Sequence, residues 1–113
     1  MELKFYRVNG NVVDSMYELP LEEIKVGSVD AAKEKHVPHV EVEGNHVKVM
    51  VGEVEHPMLE NHYITEIIAT TCCRVLKKVL KPGEKPQFEF DLNEGEKLDK
   101  VYENCNLHGV WVK

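Results

Sequence analysis

Cysteine is scarce in this chain of 113 residues: there are three, Cys72, Cys73 and Cys105. So small and odd a number does not build a disulfide framework. The N-terminus, MELKFYRVNG, lacks a basic segment followed by an apolar one. No secretory signal is therefore expected, and a reducing, cytoplasmic setting is. No apolar run approaches the roughly 18 residues that mark a membrane span, so no membrane association is expected. Basic residues are in the minority, 14 against 20 acidic ones, for a formal net charge of −6. A general nucleic-acid binder would show a basic patch or stripe, and that class is set aside. A local positive site stays open, because net charge and local field are separate matters. No segment reads as a long amphipathic helix, and there is neither an internal repeat nor a low-complexity tract.

The pattern that is present is that of strands. In HVEVEGNHVKVMV, Val40 and Val42 alternate with Glu41 and Glu43, Gly44-Asn45 makes a two-residue turn, and Val47, Val49 and Val51 alternate again. A period of two is that of a strand with one buried face. HYITEIIAT and CCRVLKKVL read as two further strands, KPGEKP as a loop, and QFEFDL as a strand with Phe88, Phe90 and Leu92 on one side. KLDKVYE and GVWVK complete seven. Seven short strands separated by turns predict an all-β fold, an antiparallel sandwich. Upstream, LKFYRV and NVVDSMYEL read as two strands joined at Asn9-Gly10, a strong hairpin signal. LEEIKVGSVDAA reads as a less regular connector. The chain divides near Ala32 into a short N-terminal β extension, residues 1–33, without a core of its own, and a sandwich domain, residues 34–113.

Six histidines are present. His36 (EKHVP), His56 (EHPM) and His62 (ENHY) fall in loop-like positions, and His108 follows Cys105 in the terminal turn CNLHG. His39 and His46 instead project from the regular hairpin. A single histidine beside a proline is most often a surface residue, and a single cysteine is often a small buried hydrophobe. Four histidines and one cysteine together make a different case. Imidazole suits iron, copper, nickel and zinc, and thiolate suits zinc, copper(I) and iron. Five donors exceed the need of a tetrahedral structural zinc and leave one position open on a metal that prefers six. Cys72 and Cys73 stand at the start of an expected strand, where neighbours point to opposite faces. They read as structural or incidental, with an exposed redox-sensitive thiol as the lesser alternative.

In order and spacing, EKHVP, HPM, HY and CNLHG resemble the superoxide reductases, the neelaredoxin and desulfoferrodoxin family, over roughly Val29 to Lys113. The resemblance implies an immunoglobulin-like seven-stranded sandwich carrying one mononuclear non-haem iron. It implies His36, His56, His62 and His108 as equatorial ligands and the Cys105 thiolate as the axial one. The implied reaction is one-electron reduction of superoxide to hydrogen peroxide. Glu34 and Lys35 match the family's Glu-Lys pair: Lys35 would attract the anion, and Glu34 would bind the ferric ion in the resting state. A small donor such as rubredoxin and a homo-oligomer, dimer or tetramer, are the implied partners. MELKFYRVNGNVV resembles the start of a desulforedoxin-type domain, but Val8 and Gly10 stand where cysteines would be expected. The second iron of such domains is therefore expected to be absent. Two rivals remain: a non-catalytic iron-binding or electron-transfer module on the same fold, and an immunoglobulin-like interaction domain with incidental histidines.

Overall fold

The computed structural model describes residues 1–27, 36–52 and 56–113. Its strands are β1 Lys4–Val8, β2 Asn11–Ser15, β3 Glu22–Ile24, β4 Pro38–Glu43, β5 His46–Val51, β6 Ile64–Thr71, β7 Val75–Val79, β8 Gln87–Asp91, β9 Leu98–Cys105 and β10 Gly109–Val112. The seven strands from β4 onward form two antiparallel sheets, ordered β10-β9-β6-β7 and β4-β5-β8. This is the expected immunoglobulin-like sandwich.

The alternation read in the sequence becomes burial. Val47, Val49 and Val51 turn inward to meet Ile64, Ile67, Ala69, Leu80, Val101 and Cys105, with Val40, Phe88, Phe90 and Leu92 packed alongside. Each such side chain contributes about 1.5–3 kcal/mol when fully buried, which holds the register against a one-residue slip. The Gly44-Asn45 turn is a two-residue hairpin, with Glu43 opposite His46 and Gly44 at φ 61°. A positive φ at the first turn position suits the right-handed twist of the flanking strands, and glycine adopts it without strain.

Strict alternation fails in β6. Ile64 and Ile67 both enter the sandwich core although they are three residues apart. The pairing with β9 slips between Ile64 and Glu66, so one extra residue, Thr65, is accommodated in a bulge. Bulges re-aim side chains and recur beside active sites. This one lies next to Cys105, which is paired with Ile64.

The N-terminal residues form a third sheet, β2-β1-β3. The Asn9-Gly10 turn is as expected, with both residues at positive φ and Val8 opposite Asn11. The connector reading of LEEIKVG is corrected: Glu22–Ile24 pairs with β1. Three residues with Ile24 as their one apolar member carry too little pattern to be read in advance. Leu3 and Phe5 pack with Ile68, Tyr102 and Val110 on the outer face of the four-stranded sheet. Phe5 lies 5.1 Å from the Tyr102 ring, and the Leu3 amide donates to the Tyr102 hydroxyl. Lys77 pairs with Asp14 at 2.5 Å, and the N-terminal amine pairs with Asp99. β6 is consequently covered on both faces. The expected boundary at residues 33 and 34 falls outside the described residues.

A second correction concerns Cys72 and Cys73. They lie in the bend between β6 and β7, not at a strand start, and a disulfide joins them. The cause is Thr71. Its hydroxyl oxygen accepts the amides of Cys73 and Arg74, which turns the chain before β7 can begin. The same hydroxyl donates to Glu96 at 2.5 Å. Glu96 also accepts two bonds from the Arg74 guanidinium and one from the Asn93 amide. Arg74 first, then Asn93 and Thr71, hold this carboxyl down to about 2. A carboxylate so depressed stabilises the fold above its usual 4.5, and that contribution is lost as pH falls from 4.5 through about 2. Glu96→Gln should therefore melt several degrees below the parent near neutrality, and the gap should narrow as pH falls through this window. Thermal melts across that range check it, and a gap independent of pH would contradict the assignment.

Candidate metal centre

The five donors read from the sequence meet at one end of the sandwich. His36 precedes β4, His56 and His62 lie in the segment leading into β6, Cys105 ends β9, and His108 sits in the turn to β10. Antiparallel strands bring these starts and ends to the same edge. One ligand atom from each of His36, His56, His62, Cys105 and His108 lies within 4.8 Å of every other. His36, His56 and Cys105 are buried, and His62 and His108 are half-buried.

The imidazoles form a closed circuit. Ring centroids are 4.7 Å apart for His36–His56, 4.9 Å for His56–His62, 5.0 Å for His62–His108 and 4.8 Å for His108–His36, each pair meeting edge to face. His36 is thus opposite His62, and His56 is opposite His108. The His36 Nε2 lies 3.0 Å from His56 Nε2 and 3.2 Å from His108 Nδ1. Nitrogens around one ion at roughly 2.1 Å would be about 3.0 Å apart when adjacent and about 4.2 Å when opposite. Cys105 Sγ is 3.6 Å from His56 Nε2 and 3.7 Å from His108 Nδ1. It is nearly equidistant from two opposite corners, as an axial ligand is. The residues fit one ion with four nitrogens in a square, a sulfur on one side and a sixth position on the other.

Local structure fixes how each donor points. The His56 Nδ1–H donates to the Pro57 carbonyl at 2.7 Å, which leaves Nε2 as the free electron pair facing the site. Burial, chiefly, pushes His56 down to about 4, with the neighbouring histidines adding to the shift. It is neutral near pH 7, the state that binds metal. The three-residue turn Asn106-Leu107-His108 closes with Gly109 at φ 85°, opposite Cys105. So short a loop presents His108 through Nδ1. Burial raises the Cys105 thiol, against the amides of Leu107 and His108 that point at the sulfur. Metal binding therefore has to displace a proton from it.

Some supporting residues were not anticipated. Asn106 joins the cysteine turn to the His62 loop. Its Nδ2 donates to the Asn61 carbonyl at 3.1 Å, and its Oδ1 accepts the Tyr63 amide at 2.9 Å, so it brackets His62. Trp111 stacks on His36 at 5.2 Å with planes 13° apart. Glu103, opposite Trp111 in the β9–β10 register, is wholly buried, and its burial pushes the carboxyl well above its usual range. Only the apolar period around Trp111 hinted at its burial. Nothing in the sequence marks the Pro57 carbonyl. His39 and His46 are exposed on the sheet, as expected, and His46 bridges Asp91 and Glu89 at 2.8 and 3.1 Å. Met58 packs on the core. Glu34 and Lys35 lie outside the described residues.

Asn106→Ala should lower metal affinity about 10–100-fold, the usual cost of removing a group that orients a ligand. Asn106→Asp keeps the acceptor for Tyr63 and should fall between. Competition with a chromophoric chelator measures both, and unchanged affinity in the alanine variant would remove Asn106 from this role.

Comparison with known proteins agrees with this geometry. Residues 28–113 match the family model described as desulfoferrodoxin. The chain is 48% identical over 94 residues to a desulfoferrodoxin of Nitratidesulfovibrio vulgaris, covering 81% of this chain and 71% of the relative. It is 46% identical over 94 residues to a desulfoferrodoxin homolog of Archaeoglobus fulgidus, covering 81% and 72%. Among solved structures, the superoxide reductase of Treponema pallidum superposes with a TM-score of 0.89 at 38% identity, over 100% of this chain and 99% of that one. The superoxide reductase of Giardia intestinalis superposes at 0.62 with 35% identity, over 72% and 96%. With its donor set assembled and these matches reaching across most of its length, the chain belongs to the desulfoferrodoxin family.

Proposed function

We propose that this protein is a superoxide reductase. The observation that carries the reading is the ring of four imidazoles with the Cys105 sulfur beside it, all five donor atoms within 4.8 Å of one another. A mononuclear iron held there would supply the single electron, cycling between its ferrous and ferric states. The residues supply the rest. His36, His56, His62 and His108 bind as neutral ligands, so with one thiolate the site keeps a net positive charge and attracts a small anion. The Pro57 carbonyl and Asn106 keep His56 and His62 aimed at the centre. Trp111 covers the outer face of His36. Cys105 would hold the ion through a soft thiolate, which would donate electron density to it. Lys35, next to His36 in sequence, is proposed to draw superoxide in, and Glu34 to bind the oxidised centre.

The N-terminal unit, residues 1–33, is proposed as a covering element. Its sheet contains no cysteine, and its apolar side chains serve the outer face of the sandwich. One iron per chain, a rubredoxin-type electron donor, a homo-oligomer and a cytoplasmic setting belong to the same proposal.

Product stoichiometry tests the activity. The iron-loaded, pre-reduced protein should form one hydrogen peroxide per superoxide consumed and release no dioxygen. Dioxygen release with half that peroxide yield would mean dismutation. No acceleration over the uncatalysed rate would favour the passive iron-binding module.

A further inference from the structure

Cys72 and Cys73 form a second reactive pair, far from the metal centre. β6 starts beside Cys105 and ends at Thr71, opposite Leu98. Its eight residues, at about 3.3 Å each, put the pair roughly 25 Å from the ligand end of the sheet. Both cysteines are exposed, whereas Cys105 is buried among the ligands. We propose that Cys72 and Cys73 are a reversible dithiol–disulfide couple, a redox modification site oxidised by hydrogen peroxide and reduced by a dithiol.

The turn explains why these two sulfurs meet. In a strand, neighbouring side chains point to opposite faces. Here Thr71 accepts the amides of Cys73 and Arg74 and is itself anchored on Glu96, which is clamped by Arg74 and Asn93. None of these bonds involves sulfur, so the bend persists whether or not the S–S bond is present. The thiols stay adjacent in the reduced state, and ring closure requires little further ordering. A tethered thiol at this proximity outcompetes a second oxidant molecule.

The chemistry balances. One thiolate attacks a peroxide oxygen and the O–O bond breaks, giving a sulfenic acid and, after proton uptake, water. The neighbouring thiolate attacks the sulfenic sulfur, the S–O bond breaks as hydroxide leaves, and the S–S bond forms. Two thiols and one hydrogen peroxide become one disulfide and two waters, the two electrons passing from sulfur to oxygen. A dithiol returns the pair to thiols through a mixed disulfide and is itself oxidised. The proposal rests on the superoxide reductase reading for its source of peroxide, which would diffuse from one end of the sandwich to the other.

The test uses the full iron-loaded chain, reduced with dithiothreitol, desalted, treated with hydrogen peroxide and then labelled with a maleimide. Mass spectrometry of the intact chain and its peptides should show two labels, on Cys72 and Cys73, before peroxide and none after it. The chain should have lost two hydrogens, and dithiothreitol should restore both labels. Cys72→Ser and Cys73→Ser should each accumulate a sulfenic acid that dimedone traps, with superoxide reduction unchanged. Labels that survive excess peroxide, sulfinic acid on one cysteine of the parent chain, or disulfide-linked dimers would each overturn the couple. A second arm supplies superoxide and an electron donor, with and without catalase. Catalase-sensitive oxidation beyond what the half-equivalent of peroxide from uncatalysed dismutation supplies supports the link to turnover. If added peroxide closes the disulfide but superoxide closes it no further than uncatalysed dismutation accounts for, the couple stands and the proposed activity fails.

Discussion

Cys105→Ser is expected to abolish the sulfur-to-iron charge-transfer band of the oxidised protein and to slow superoxide reduction more than about 100-fold, beyond the usual loss from groups that only orient ligands. The reason is chemical more than steric. Cys105 is buried at the edge of the sandwich core, and serine nearly matches its volume, so the seven strands should persist. The hydroxyl would face the Leu107 and His108 amides that now point at the sulfur, so it would not be left without donors. Yet a hydroxyl stays protonated where a thiol can be deprotonated by a metal, and a hard oxygen does not replace the electron donation of thiolate. The square of histidines would remain, and some iron would still bind. Circular dichroism, metal content and single-turnover rates separate these effects. If the band and the rate both survive in folded, iron-loaded Cys105→Ser, the axial assignment is wrong.

Lys35→Ala is expected to slow the reaction with superoxide by about 10-fold or more, within the 10–1,000-fold range of electrostatic steering, while iron content stays nearly unchanged. Lys35 is not among the five donors, so its loss need not disturb the metal. It immediately precedes His36 in sequence, and His36 is one of the five donors. Screening by salt acts over roughly 10 Å at 0.1 M. The parent rate should therefore fall as ionic strength rises, and the variant rate should fall less. Glu34→Ala should behave differently: ferrous protein should still reduce superoxide, while the ferric spectrum shifts if the proposed Glu34 carboxylate ligand is lost. Pulse radiolysis at two salt concentrations decides between them. Equal rates and equal salt slopes for parent and Lys35→Ala would exclude steering by Lys35 and strengthen the passive-binder reading.

The strands that carry the site could be read because their alternation is a consequence of burial on one face, as at Val47, Val49 and Val51. The hairpins at Asn9-Gly10 and Gly44-Asn45 could be read because few residues tolerate positive φ. The ligands could be read because their residue types are uncommon together. β3 was not legible, since Glu22–Ile24 is held by pairing with β1 and by Ile24 on the outer cluster, neither of which leaves a periodic trace. The bulge at Thr65 was not legible either. It breaks the alternation that the reading relied on, and its cause is the partner strand. Cys72 and Cys73 were misplaced because the residue that bends the chain, Thr71, takes its anchor from Glu96, distant in sequence.

By itself the sequence determined which atoms could bind a metal: four imidazoles and one thiol, with Cys105 and His108 forced together by a three-residue spacing. It also determined the number of sandwich strands, because local alternation and turn chemistry act over a few residues. Only the tertiary structure decided that His36, His56 and His62 reach that turn, in the cyclic order His36, His56, His62, His108 with the sulfur nearly equidistant from two opposite corners. It also decided which nitrogen His56 and His108 present, through the Pro57 carbonyl and the tight turn, and that the N-terminal sheet covers β6 and β9. The physical reason is the same in each case. These arrangements depend on contacts between residues tens of positions apart, and such contacts exist only once antiparallel pairing has brought the strand ends to one edge.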